Sequence, residues 1–196
     1  MSAVLKSMTP GEYLARERRA EFKSEFFRGE VFAMAGGSAN HSLIAANFIR
    51  EAGNGLKGMP CVVYSSDLRI KVSETGLYTY PDASIVCGGP QFDDEVRDTV
   101  LNPTMIVEVL SDSTEKYDRG RKSSQYRSLD SLIELVLISQ IEPCVERYVR
   151  QDRGGWLLME EKNLASSVHF DSIGFAIPML EIYRNVVFGV EVEETA

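Results

Sequence analysis

The run NPTMIVEVLSDST, residues 102–114, decides the fold. From Thr104 to Leu110 it is apolar on both faces of an extended chain, with Glu108 as the exception. A strand that is apolar on both faces is covered on both sides, which makes it the centre of an α/β sheet. The polar turn that follows places Glu108 near the carboxyl end of the strand, where ligands bind in open α/β sheets. An unpaired carboxylate buried there costs several kcal/mol, on the order of what single-partner deletions cost. A cation, a metal ion or a cleft at this end of the strand must compensate it.

Upstream, TPGEYLARERR begins a helix, with Thr9 as cap, Pro10 in the first turn and Glu12 closing a capping box. FKSEFFRGEVFAMAGG reads as a β-hairpin around Arg28-Gly29. Ser38 or Asn40 caps the next helix, whose Leu43, Ile44, Ala46, Phe48 and Ile49 make an apolar face. CVVYSSDLRIKV reads as one extended, bent strand, and LYTYPDASIVC as another that turns fully apolar after Pro81-Asp82. GGPQFDDEVRDTVLNP is an acidic, turn-rich connection.

Downstream, SDSTEKYDRGRKSSQYRSL predicts a helix capped by Asp112 or Ser113. LIELVLIS, CVERYVRQ and GGWLLME predict strands, and IGFAIPMLEIYRNVVF a last strand and a short helix from Pro178. Neither a repeat nor a linker interrupts the pattern. The expectation is a single α/β domain over residues 1–190, with residues 191–196 as a frayed tail: a mixed central β-sheet flanked by helices, preceded by a helix and a hairpin.

The chain of 196 residues is 44% hydrophobic and 26% charged, ordinary for a globular protein. No apolar run approaches the roughly 18 residues of a membrane span. The first residues lack the apolar core of a signal peptide, so the cytoplasm is expected and no membrane partner. Cys61, Cys87 and Cys144 are odd in number, widely spaced and set among apolar residues, which reads as three buried thiols. The net charge of −8, with basic clusters only at Arg16–Arg19 and Asp118–Lys122, argues against tight non-specific binding of nucleic acid. It leaves room for a local basic patch.

Asp82 opens a second apolar strand, ASIVC. A Pro-Asp pair is more often a plain turn, but two carboxylates on neighbouring strands repel unless a cation lies between them. Hard oxygen ligands with open positions suit Mg²⁺ or Mn²⁺. The Val109 carbonyl is a further ligand candidate. Lys122 lies on the helix leaving the Glu108 strand, with Asp118 one turn before it and Gln125 nearly one turn after. An exposed Asp-Lys pair at helical spacing is the plain reading; the sharper one sets Lys122 over the metal site, with Gln125 on the same face. Asp67 either holds the edge of the site or closes a bend. His169 is read as structural, and Tyr126 and Trp156 as core.

YPDASIVC, NPTMIVEVLSDST and YDRGRKSSQYRSLDSLIELVLIS together resemble the Uma-two family of restriction-endonuclease-like proteins. The likeness extends to MTPGEYL, EFFRGEVFAMAGGSANH and MLEIYRNVVF. It implies a restriction-endonuclease-like fold of the PD-(D/E)xK kind, with Asp82 as the motif aspartate and Glu108 as the acid of its second half. The lysine that the pattern sets two residues after the acid is Leu110 here. The resemblance implies that Lys122 replaces it from the following helix. Glu25 and His41 match family positions that line the cleft, although Glu25 could equally be an exposed strand residue beside Arg28 or Lys71, and His41 a helix-end residue that caps or packs.

The function implied is metal-dependent hydrolysis of a nucleic-acid phosphodiester, DNA in the first instance, and a homodimer would suit an enzyme that cuts both strands. Two rivals stand beside it. One is a degenerate nuclease fold that binds or assembles; the other is a metal-dependent phosphoesterase with a small substrate.

Overall fold

A computed structural model of the chain describes residues 7–34, 36–111 and 114–189. Helix α1 (Pro10–Glu17) leads into strands β1 (Ser24–Phe27) and β2 (Glu30–Ala33), and α2 (Ala39–Gly55) follows. Next come β3 (Cys61–Ser65), β4 (Arg69–Val72), β5 (Leu77–Thr79), β6 (Ala83–Cys87), β7 (Thr99–Val100) and β8 (Met105–Leu110). A broken helix is built from α3 (Glu115–Tyr117), a π-helical turn (Asp118–Lys122) and α4 (Ser123–Tyr126). The chain closes with β9 (Glu134–Ser139), β10 (Val145–Arg150), β11 (Trp156–Glu161), β12 (Ser167–Phe170), β13 (Phe175–Pro178) and α5 (Met179–Ile182).

The central sheet is six-stranded and mixed, in the order β11-β10-β9-β8-β6-β3. β8 pairs parallel with β9 and antiparallel with β6, and all six of its residues are buried. The two-residue period of a strand divides them between two cores. Met105, Val107 and Val109 meet α2, α5 and the β12-β13 ladder. Ile106 and Leu110 meet Tyr126, Leu132 and the second sheet, β2-β1-β5-β4-β7, through Ile70, Val72 and Leu77. Glu108 alternates onto this second face. Ile44, Phe48 and Ala52 of α2 are fully buried, and each large side chain of this kind contributes about 1.5–3 kcal/mol.

Local signals hold where the sequence is explicit. Thr9 and Glu12 form the capping box, and Ser38 caps α2 by accepting from the His41 amide. Arg28 and Gly29 take positive φ angles of 49° and 90°, the conformation a two-residue hairpin turn demands. The Asp112 and Ser113 caps and the 191–196 tail lie outside the described residues.

Several expectations are corrected. CVVYSSDLRIKV is two strands in different sheets, broken by the turn at Ser66-Asp67, and LYTYPDASIVC divides at Pro81-Asp82 in the same way. Propensity identifies extended chain but not the sheet it joins. The acidic connection contains β7, and β12 joins the expected last strand in its own ladder. As expected, Trp156 packs half-buried against the second core, 4.6 Å from the Arg150 guanidinium, and His169 is exposed beside Asp171.

Cys61 and Cys87 are not free thiols. They sit directly opposite each other on β3 and β6 and form a disulfide, while Cys144 remains free and buried. Strand register, which spacing along the chain does not reveal, brings them together. Closing a loop of this length stabilises a fold by about 3 kcal/mol. Titration of the unfolded, unreduced protein should therefore find a single thiol, and reduction should lower the denaturation midpoint. Three thiols would remove the cross-strand bond.

Candidate active site

Asp82 stands one residue before β6, whose ladder with β8 runs from Ile85↔Met105 to Ala83↔Val107. Continued by one residue, this register sets Asp82 opposite Glu108 on the same face of the sheet. Asp82 Oδ2 accepts the Val109 amide at 2.7 Å and lies 3.2 Å from His41 Nε2. A strand residue turns its N–H and C=O to the same edge, so the Val109 carbonyl faces this side as well.

Lys122 reaches the same place from the broken helix. Its ammonium is 2.9 Å from Glu108 Oε1, 3.2 Å from Glu25 Oε1 and 3.6 Å from Asp118 Oδ1. Glu108 and Lys122 are each 4% exposed. The wider π-helical turn buries Asp118 and Lys122 and leaves Arg119, Gly120 and Arg121 outside. Tyr126, four residues after Lys122, donates to Glu108 Oε1 at 2.6 Å. Glu25 accepts from Thr79 on its Oε1 and from Tyr117, at 3.0 Å, on its Oε2.

Asp82, Glu108 and Lys122, with Glu25, His41 and Asp118, line one cavity of about 490 Å³, together with Phe27, Phe32, Met34, Tyr80 and Arg121. Burial pushes the Glu108 carboxyl up to about 8; Lys122 opposes the shift, and Asp82 and Asp118 add to it. Burial raises Asp118 too. Burial alone would lower Lys122, but Glu108, Tyr126, Glu25 and Asp118 around it hold the ammonium well above the usual lysine range. The hydrogen bond to Asp82 raises the His41 imidazole, against its own burial.

The donor set fits a hard divalent cation. Four carboxylates, Glu25, Asp82, Glu108 and Asp118, share the wall with the Lys122 ammonium and the His41 imidazole, each paired with a carboxylate. Among the described residues no donor reaches Asp82 Oδ1 or Glu108 Oε2. These two oxygens are therefore the atoms available to Mg²⁺ or Mn²⁺, with the Val109 carbonyl, which also meets the His41 imidazole, as a shared candidate. A separate group, Cys144, Glu146 and Glu160, places its donors within 4.8 Å of one another. There, however, Glu146 is already engaged on both oxygens by Arg119.

Two of the residues singled out from the sequence stand elsewhere. Asp67 is exposed and pairs with Lys23, so it closes the bend. Gln125 turns away from the cavity and accepts from Thr75 in the β4-β5 turn. Tyr126 takes the place on the Lys122 face that Gln125 was expected to hold, because four residues after Lys122, not three, returns to that face here. This spacing was readable. The parts played by Thr79, Tyr117 and Tyr80 carried no local signal, since each comes from an element whose approach to β8 is set by packing.

A family model described as "Putative restriction endonuclease", Uma2, matches residues 10–179. An uncharacterized protein of Synechocystis sp., slr1290, is 36% identical over 187 residues, covering 95% of this chain and 97% of that protein. A second uncharacterized protein of the same organism, sll1609, is 36% identical over 168 residues, covering 86% and 95%. A crystal structure of a "putative nuclease belonging to DUF820" from Anabaena variabilis superposes with a TM-score of 0.70 at 17% identity, covering 88% of this chain and 96% of that one. With the family matched along most of its length and the fold matched in space, the chain belongs to the Uma2 family and has a restriction-endonuclease-like fold.

Proposed function

We propose that this protein is a metal-dependent phosphodiesterase of nucleic acid, an endonuclease in which Asp82, Glu108 and the Val109 carbonyl hold the ion and Lys122 meets the reacting phosphate. The observation that carries the reading is the meeting of Asp82, Glu108 and Lys122 in one cavity, from a strand start, a strand end and a helix. Family membership supports it. DNA as the polymer, Mg²⁺ or Mn²⁺ as the ion, the cytoplasm as the compartment and a homodimer as the assembly belong to the same proposal. Among the described residues no helix is long and apolar enough to cross a membrane. In a reducing cytoplasm, where disulfides are rare, Cys61 and Cys87 would stand as a facing thiol pair on β3 and β6.

In the hydrolysis, a water oxygen bonds to phosphorus, one ester P–O bond breaks, and the departing oxygen leaves with a proton as a hydroxyl. A divalent cation bound here would lower the pKa of the attacking water and offset the phosphate charge. His41 and the Val109 amide fix Asp82 through Oδ2, and Tyr126 fixes Glu108 through Oε1. An ammonium has three N–H groups. Lys122 directs two at Glu108 and Glu25 and keeps its longest contact, to Asp118, for the third. That third donor is the one a phosphate oxygen or the attacking water takes, where it stabilises developing charge. Glu25 and Asp118 position the lysine.

The size of the cavity favours a second reading, a phosphoesterase with a small substrate, since about 490 Å³ lies in the range of small-molecule sites. Incubation with labelled DNA, RNA and a phosphomonoester in Mg²⁺ or Mn²⁺, beside an Asp82→Ala control, decides between the two. Cleavage of polynucleotide lost in Asp82→Ala supports the nuclease, and hydrolysis of the monoester alone supports the rival.

Lys122→Met should reduce cleavage at least a hundredfold while calorimetry finds Mn²⁺ binding at least as tight as in the wild type. Its melting point should also fall, because removing one partner of a buried pair costs about 3–5 kcal/mol. Wild-type turnover in a folded Lys122→Met protein would make the lysine purely structural.

Glu108→Gln keeps the shape and removes the charge. With its carboxyl raised from 4.5 to about 8, the folded wild type holds a proton that the unfolded chain releases. That stabilisation is complete below about pH 4.5 and is lost as the pH rises toward 8. In chelator at pH 8 the Gln variant should therefore match or exceed the wild type by about 1 kcal/mol, the scale of one pKa unit. It should also lose most of the stabilisation by added metal. A variant much less stable in chelator would mark Glu108 as a structural acceptor.

A further inference from the structure

Resting on the nuclease reading, the shape of the cavity says which form of nucleic acid can use it. Glu108 and Lys122, at 4% exposure, lie buried in the wall of a cavity of about 490 Å³. Cavities of roughly 300–1,000 Å³ take molecules of drug size. That is the bulk of a nucleotide or two and far less than a duplex. A duplex resting on the surface keeps its phosphates outside such a mouth, whereas a single strand can bend into it.

The walls match a strand with its bases unstacked. Phe27, Phe32 and Met34, from the hairpin and the residues after it, line one side, with Tyr80 and Tyr117 deeper in. Phe32 is 45% exposed on the edge strand β2, an aromatic face presented both to solvent and to the cavity. Arg121 also lines the cavity, 4.5 Å from the centre of the Phe27 ring, and among the described residues it makes no ion pair. Lys122 and His41, by contrast, are engaged by carboxylates. Aromatic rings interleaved with a free cation are how proteins hold single strands without reading sequence, by stacking bases and meeting phosphates. Duplex binding depends instead on a broad basic surface, and the chain carries a net charge of −8.

We propose that the cavity takes a single-stranded segment, a free end or a flap, with a base stacked on Phe32 and a backbone phosphate against Arg121.

The test measures binding in chelator and cleavage in Mn²⁺ for a labelled single-stranded oligonucleotide, a flapped duplex, a blunt duplex of the same sequence and a mononucleotide. Single strand and flap should bind at least tenfold tighter than the blunt duplex. Phe32→Ala should weaken single-strand binding about tenfold, the scale of one lost stack, as should Arg121→Ala. Phe22→Ala, which removes an exposed ring outside the cavity, should change nothing. Binding or cleavage of blunt duplex as effective as that of single strand would overturn the proposal, and would leave the nuclease reading intact if cleavage occurs. Equal effects of Phe32→Ala and Phe22→Ala would overturn it too, as would a mononucleotide bound as tightly as the strand. A single-strand preference lost in Phe32→Ala without any cleavage would uphold the proposal and retire the nuclease reading.

Discussion

The Lys122 ammonium joins parts of the chain that share no strand ladder. It meets Glu108 on β8 of the central sheet, Glu25 on β1 of the second sheet and Asp118 in its own π-helical turn. Taking each ion out of water costs several kcal/mol, and apolar side chains filling the same space are often as stable or more so. The arrangement therefore does not persist as the most economical way of joining two sheets. Conflicts of this kind, where a local choice opposes the fold, concentrate at functional sites. The surplus of carboxylates over cations around Lys122 gives this one its direction: the site is built to receive positive charge.

The broken helix makes the arrangement possible. The turn from Asp118 to Lys122 sets its two ends four residues apart on one buried face and leaves Arg119 and Arg121 on the outer one. Each outer arginine then finds separate work. Arg119 binds Glu115 and Glu146 and fastens the turn to β10, while Arg121 stacks over Phe27 at the cavity. A lysine arriving from a helix in this way supplies a charge near Glu108 that a strand residue two positions on does not. Leu110, two residues on in the same strand, packs into the second core.

Much of the fold was legible in the residues. The apolar run from Met105 to Leu110 specifies a central strand because only burial on both faces accommodates it. Thr9, Ser38 and Arg28-Gly29 mark their helix starts and hairpin turn through local hydrogen bonds and backbone angles. Glu108 was recognisable by its cost alone, and Asp82 by its place before a second apolar strand. The resemblance to the Uma-two family supplied Lys122 as the replacement for the lysine absent at Leu110.

Tertiary structure decided everything that depends on register and on which layer packs over which. The sequence does not distinguish one bent strand from two strands in different sheets, so the break between β3 and β4 and the pairing of Cys61 with Cys87 do not show in it. Nor does it fix whether a polar residue on a helix faces a cavity or a neighbouring turn: Gln125 meets Thr75, while the buried Tyr126 meets Glu108. Thr79 and Tyr117 hold Glu25 because two sheets pack against each other, and packing is a property of the folded chain as a whole. The sequence by itself determined which residues bear charge at a cost; the folded structure determined which of them share it.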